Sequence, residues 1–183
     1  MEGSIKITQE TKVKEPKIKE GVDFVFEQNP ELTKVGTKEQ YSEYLDKVFP
    51  ESKVKDIVYH VSPNNFKNSS FSKEMFGQSK HLYTIKNAKG FFFGQDYSKI
   101  RNLYPGEYEY TVLLDIKNPS YLKTSDVATA KDDENYDAFV NNDRYGLFQF
   151  GHMYRVFNTE QIHILGSKQD TENFKKFVED HKI

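Results

Sequence analysis

The chain contains no cysteine and no tryptophan. Without thiols there is no disulfide framework, no thiolate nucleophile and no cysteine-ligated zinc. Charge of one sign is also missing, because 26 basic and 28 acidic residues leave a net charge of −2. No global field therefore draws the protein to nucleic acid or to an anionic membrane. Apolar runs stay well short of the roughly eighteen residues of a membrane-spanning helix, and 1–19 holds no signal-peptide core. The expectation is a cytoplasmic protein with no membrane partner. The signatures GxxxxGK[ST], GxGxxG, GxSxG and HExxH are absent, and His60, His81, His152, His163 and His181 lack metal-ligand spacing. No metal site is expected.

What the chain does have is aromatic bulk. Only 36% of its 183 residues are apolar, yet 15 Phe and 12 Tyr supply large contact areas, enough for the core of one domain. Residues 1–20 interleave Lys and Glu with isolated Ile and Val, which predicts a flexible charged arm; the alternation of Ile5 and Ile7 also permits a short edge strand. Residues 21–55 read as a helical preface. Asn29-Pro30 has the form of a cap followed by Pro at the first helical position. Thr37 and Gln40 form a capping box, after which Tyr41, Tyr44, Leu45, Val48 and Phe49 recur at helical spacing until Pro50.

From 56 to 183 the texture changes to short apolar runs between turn residues: IVYHV at 57–61, LYTI at 82–85, FFF at 91–93, YEYTVLLDI at 108–116, FV at 139–140, MYRVF at 153–157 and IHIL at 162–165. These predict strands. The fourth run alternates, with Tyr108, Tyr110, Val112, Leu114 and Ile116 on one face. Asp96 caps a short helix running to Tyr104, and the box Ser167-x-x-Asp170 opens a final helix with Phe174, Phe177 and Val178 on its apolar face. Strands in the middle with helices at both ends make an α+β pattern.

Three blocks within this region resemble, in order and spacing, the His-Tyr-Glu branch of the ADP-ribosyltransferases. Val58-Tyr59-His60-Val61-Ser62 resembles the strand that ends in His-Gly-Ser or His-Gly-Thr. Gly90-Phe91-Phe92-Phe93 resembles Gly-x-Tyr-Phe with its following helix. Met153 to Ile162 resembles Glu-Tyr-x-Val-Phe/Tyr-Asp/Asn-x-x-Gln-Ile/Val. The linking LLDIKNPSYL and the tail QIHILGSKQDTENFKKFV are similar to the domains carried by phage and mobile-element polyvalent proteins. The resemblance implies ADP-ribosyltransferase-like split antiparallel β-sheets with flanking helices. It also implies NAD as substrate, transfer of ADP-ribose to a host macromolecule, protein or nucleic acid, and a catalyst that works by positioning and electrostatics.

Carried over by position, His60 is the catalytic and ribose-binding His, Ser62 the small hydroxyl residue, and Val61 stands for Gly beside the nicotinamide amide. Phe92 stands for Tyr and keeps the ring without the hydroxyl. Leu103 stands at the stacking Tyr, with Tyr104 beside it. Tyr97 and Tyr104 either line the cofactor site or merely cover the sheet. Met153 takes the place of the catalytic Glu, a loss that typically costs about a hundredfold to a thousandfold in rate. Glu160 is the nearby carboxylate and is taken as the second catalytic candidate; Gln149 and His152 are other polar neighbours, and His152 faces away unless a bulge slips the strand. Arg144 and Arg155 either fork onto a diphosphate or are surface charges. Two functions are thus expected: a mono-ADP-ribosyltransferase, or a degenerate member that binds NAD, ADP-ribose or a protein without turnover.

Overall fold

A computed structural model describes residues 17–65, 71–75, 89–104, 106–122, 127, 130–141 and 152–181. The expected strand at 82–85, Ile5, Ile7, Arg144 and Gln149 lie outside the described residues.

The preface begins with a helix, α1 (Val22–Gln28), that follows Gly21 at φ 89°, a conformation that favours glycine. Asn29 and Pro30 stand at the N-cap and first position of a helix as expected, but it is a short 3-10 helix that the Asn29 side chain does not cap. Asn29 closes α1, its Nδ2 donating to the Val25 carbonyl at 2.9 Å, and Pro30–Lys34 is a 3-10 turn. The capping box is present before α2 (Lys38–Val48): Thr37 Oγ1 accepts from the Gln40 amide at 3.2 Å and Gln40 Oε1 from the Thr37 amide at 2.9 Å.

The sheet comprises β1 (Val58–Ser62), β2 (Phe91–Gly94), β3 (Tyr108–Leu114), β4 (Pro119–Leu122), β5 (Ala138–Asn141), β6 (Met153–Val156) and β7 (Ile162–Ile164), in the order β4-β5-β6-β2-β1-β3-β7. Between β2 and β3 runs α3 (Tyr97–Leu103), capped by Asp96 accepting from the Lys99 amide; α4 (Lys168–Asp180) ends the chain. The expectation of split antiparallel sheets needs correction. The strands form one seven-stranded mixed sheet in which β4 and β5 are parallel. Its two halves are nevertheless unequally joined: β1 and β3 pair over five residues, whereas β1 and β2 meet only at Tyr59↔Gly94.

Both faces are covered, which is why Leu113, opposite the Val112 and Leu114 face of β3, is apolar too. Val58, Phe93, Val112, Leu114, Val140 and Val156 fill one face. On the other, Leu113 and Ile57 pack against α1, α2 and α4 through Val22, Phe26, Tyr41, Leu45 and Phe174. The preface and the C-terminal helix thus share a core with the sheet.

A buried carboxylate ties them together. Asp170 is fully buried and accepts from Tyr41 Oη at 2.5 Å, Tyr44 Oη at 3.0 Å, His163 Nε2 at 2.7 Å and the Gly166 amide at 2.8 Å. A buried acceptor with this many donors is costly to remove, because each donor is left without water. Asp170→Ala is expected to lower the unfolding free energy in urea by on the order of 3 kcal/mol and to loosen α2 and α4 together; a change below about 0.5 kcal/mol would show that this network does not join the preface to the sheet.

Candidate functional site

The three sequence blocks, far apart in the chain, occupy the adjacent strands β6, β2 and β1. Side-chain alternation then sorts their residues. His60 shares a face with Val58 and Ser62, and its ring packs on Phe71, Phe93 and Tyr110 with centroids 5.3, 5.3 and 6.3 Å away. Val61, Phe92 and Met153 belong to the opposite face, in register with Glu109, Arg155 and Gly94 respectively. The structure therefore does not bring His60 onto the same face as Phe92 or Met153.

At the seam where β1 and β2 part, His60 Nδ1 lies 2.7 Å from the Phe92 carbonyl. A carbonyl only accepts, so Nδ1 carries the proton and the neutral ring is the Nδ1–H tautomer. Burial pushes the imidazole down to about 4, the bond to Phe92 opposing this in part. Ser62 is buried and accepts from the Asn64 amide at 3.1 Å, holding the turn after β1. Behind Ser62 there is no room for a side chain on Gly106, whose added Cβ would lie 2.7 Å from the Ser62 carbonyl.

Across the seam a small apolar cluster forms from Val61, Ile100 and Met153, with Tyr59 and Tyr104 packed against it. It unites three expected cofactor-side residues, Val61, Tyr104 and Met153. Ile100 fills the space beside Gly94, where a Cβ would stand 2.2 Å from its Cδ1 and 3.4 Å from the Met153 sulfur. Met153 is only 9% exposed, and its amide donates to Asn141 Oδ1 at 2.7 Å. This cluster is apolar and holds no carboxylate.

Phe92 is claimed by a different neighbour. Arg155 is not a surface charge: it is 1% exposed, and its guanidinium sits 5.7, 5.5 and 5.2 Å from the ring centroids of Phe92, Phe139 and Phe157. Its donors reach the carbonyls of Lys89, Val127 and Ala130 and, at 2.7 Å, the Asp132 carboxylate. These protein acceptors use the fork that a diphosphate would need. Glu160 stands on the exposed turn Thr159–Gln161, with its carboxyl held below the usual range by its own amide and by Thr159. None of those interactions involves His60, so the two catalytic candidates are not assembled. His152 is exposed ahead of β6, 3.3 Å from the Asn141 carbonyl.

Gln161 explains part of the third block without catalysis. Its Nε2 donates to the carbonyls of Asp115 (2.9 Å) and Asp137 (3.0 Å), and its Oε1 accepts from the amides of Phe157 and Asn158, joining the ends of β3, β5 and β6. Tyr97 Oη donates to Glu109 at 2.5 Å, and Arg101 Nε reaches the same carboxylate at 2.7 Å. Sequence reasoning missed Glu109; its only signal is a charge at the start of an otherwise buried strand, opposite Val61. No protein-family model matches the chain, and no curated protein matches it.

The His60 geometry sets a pH dependence. The folded ring resists protonation down to about pH 4 while the ordinary value is 6.5, so the unfolded chain binds the proton first as pH falls. This contribution to stability is complete above 6.5 and drains between 6.5 and 4. His60→Gln keeps a donor for Phe92 but does not titrate; urea unfolding of the wild type should lose up to about 3 kcal/mol more than the variant across that window. Parallel pH profiles would rule out the buried neutral ring.

Proposed function

We propose that residues 57–167 act as an ADP-ribosyltransferase-like module that recognises NAD or ADP-ribose without efficient turnover. The observation that carries this reading is the convergence of Val61, Tyr104 and Met153, contributed by β1, the end of α3 and β6, in one buried cluster beside the β1–β2 seam. In the family the sequence resembles, the positions of Val61 and Met153, and of Leu103 beside Tyr104, surround the nicotinamide end of NAD.

The same cluster argues against catalysis. Cleavage of the glycosidic bond needs negative charge opposite the developing oxocarbenium ion, and a thioether offers none. Ile100 and Met153 fill the floor, leaving less room for a pyridinium ring, while Phe92 already faces the Arg155 guanidinium. An ADP-ribose, which lacks the nicotinamide, fits these constraints better than NAD. In calorimetry with the whole chain, ADP-ribose is expected to bind at least as tightly as NAD, with no nicotinamide released over hours. Met153→Glu should create slow release if the remainder of the site is in place. Rapid release by the wild type, or binding of neither nucleotide, would refute the proposal.

The transferase reading is kept for one observation: the three family-like blocks lie on neighbouring strands, with His60 half-buried and Ser62 buried at the seam. On that reading the protein is a mono-ADP-ribosyltransferase of phage or mobile-element type, modifying a host macromolecule in the host cytoplasm. Labelled NAD mixed with cell lysate would then give transfer that His60→Ala abolishes.

A further inference from the structure

Beside the Val61 side of the apolar cluster lies a paired acid and base that neither the sequence blocks nor the proposed function uses. Glu109 is the cross-strand partner of Val61, so both side chains stand on the α3 side of the sheet. Its Oε1 meets Arg101 Nε at 2.7 Å and its Oε2 accepts from Tyr97 Oη at 2.5 Å. Arg101 Nη1 also donates to the Gly106 carbonyl at 2.7 Å, and Gly106 is the residue packed on the backbone of Ser62. The pair therefore borders the Val61–Ser62 backbone and remains open to water, with Arg101 44% and Glu109 28% exposed.

The bonding pattern leaves specific capacity unused. A carboxylate oxygen has two acceptor positions, and each oxygen of Glu109 fills one with the contact above. A guanidinium has five N–H donors in a fixed fork, and Nη2 of Arg101 has no acceptor among the described residues. Because Arg101 neutralises Glu109, the pair favours a neutral hydroxyl donor on the acid and an anionic oxygen on the base over a free cation. Vicinal hydroxyls next to a phosphate present this combination, and the apolar floor beside them suits the far end of such a ligand.

We infer that Arg101 and Glu109 form a recognition pair for a ribose diphosphate, Glu109 accepting from the hydroxyls of the terminal ribose of ADP-ribose and Arg101 donating to its diphosphate. This rests on the nucleotide-binding reading above. Tyr97 holds the carboxylate in place and is a positioning residue.

The pair also tethers α3 to β3, so the test must separate recognition from tethering. Both Glu109→Gln and Arg101→Gln break the same ion pair, and a purely structural role makes them behave alike. Recognition makes them differ. Calorimetry on the full chain compares ADP-ribose with ADP, which has the diphosphate and lacks the terminal ribose, with thermal melting of each variant as a check on folding. The wild type prefers ADP-ribose. Glu109→Gln erases that preference, a loss of about tenfold for ADP-ribose, with ADP unchanged within about twofold; Arg101→Gln weakens both ligands about tenfold. Glu109→Asp restores part of the preference. Equal effects of the two Gln variants on both ligands, or no effect of either, overturn the inference while nucleotide recognition stands. A wild type that binds neither ligand overturns both.

Discussion

The bond from His60 Nδ1 to the Phe92 carbonyl is the constraint on which the arrangement of the sheet depends. Beyond Tyr59↔Gly94 the strands β1 and β2 make no further pairs among the described residues, and a half-buried carbonyl left there without a donor would cost free energy. The imidazole supplies the donor that the neighbouring backbone does not. The Nδ1–H is present whether the ring is neutral or protonated, and the aromatic packing of Phe71, Phe93 and Tyr110 around it favours the neutral form. The sheet can then stay continuous in order and yet open along one seam, with α3 lying against β1 and β2.

What fills the opposite face of that seam decides the chemistry available. Val61, Ile100 and Met153 give an apolar cluster with no negative charge to set against a developing cation. The polar groups stand at the rim on α3 and β3. On the proposed reading, recognition is thus favoured where bond cleavage is not assisted. Arg155, although on the same face as Phe92, has a structural role: its guanidinium fastens the carbonyls at 89, 127 and 130 to β6 and lies over the Phe92 ring.

Local chemistry made much of the fold legible in the sequence. Thr37 with Gln40, Asp96, and Ser167 with Asp170 each announce a helix start, and each accepts the expected backbone amide. The alternation through β3 correctly names the residues of one core face. Failures arise where a residue's partner is distant. Asn29-Pro30 does start a helix, but a short 3-10 one, and the Asn29 side chain is turned back to the carbonyl of Val25 instead of capping it. Nothing local in Pro119–Leu122 signals a strand, since its pairing with β5 is parallel and reached through an intervening segment. Arg155 looks like a surface charge until three phenylalanines and three carbonyls are folded around it. For the site, the motif blocks place the right strands side by side, while face and filling depend on register: Glu160 lies on a turn away from His60, and the Arg101–Glu109 pair becomes visible only once β1 and β3 are aligned.

The most direct test of the account is amide chemical-shift mapping of the full chain titrated with ADP-ribose. It predicts saturable shifts concentrated at Val61, Ser62, Arg101, Tyr104, Glu109 and Met153. Absence of saturable shifts, or shifts confined to α1, α2 and α4, would contradict it.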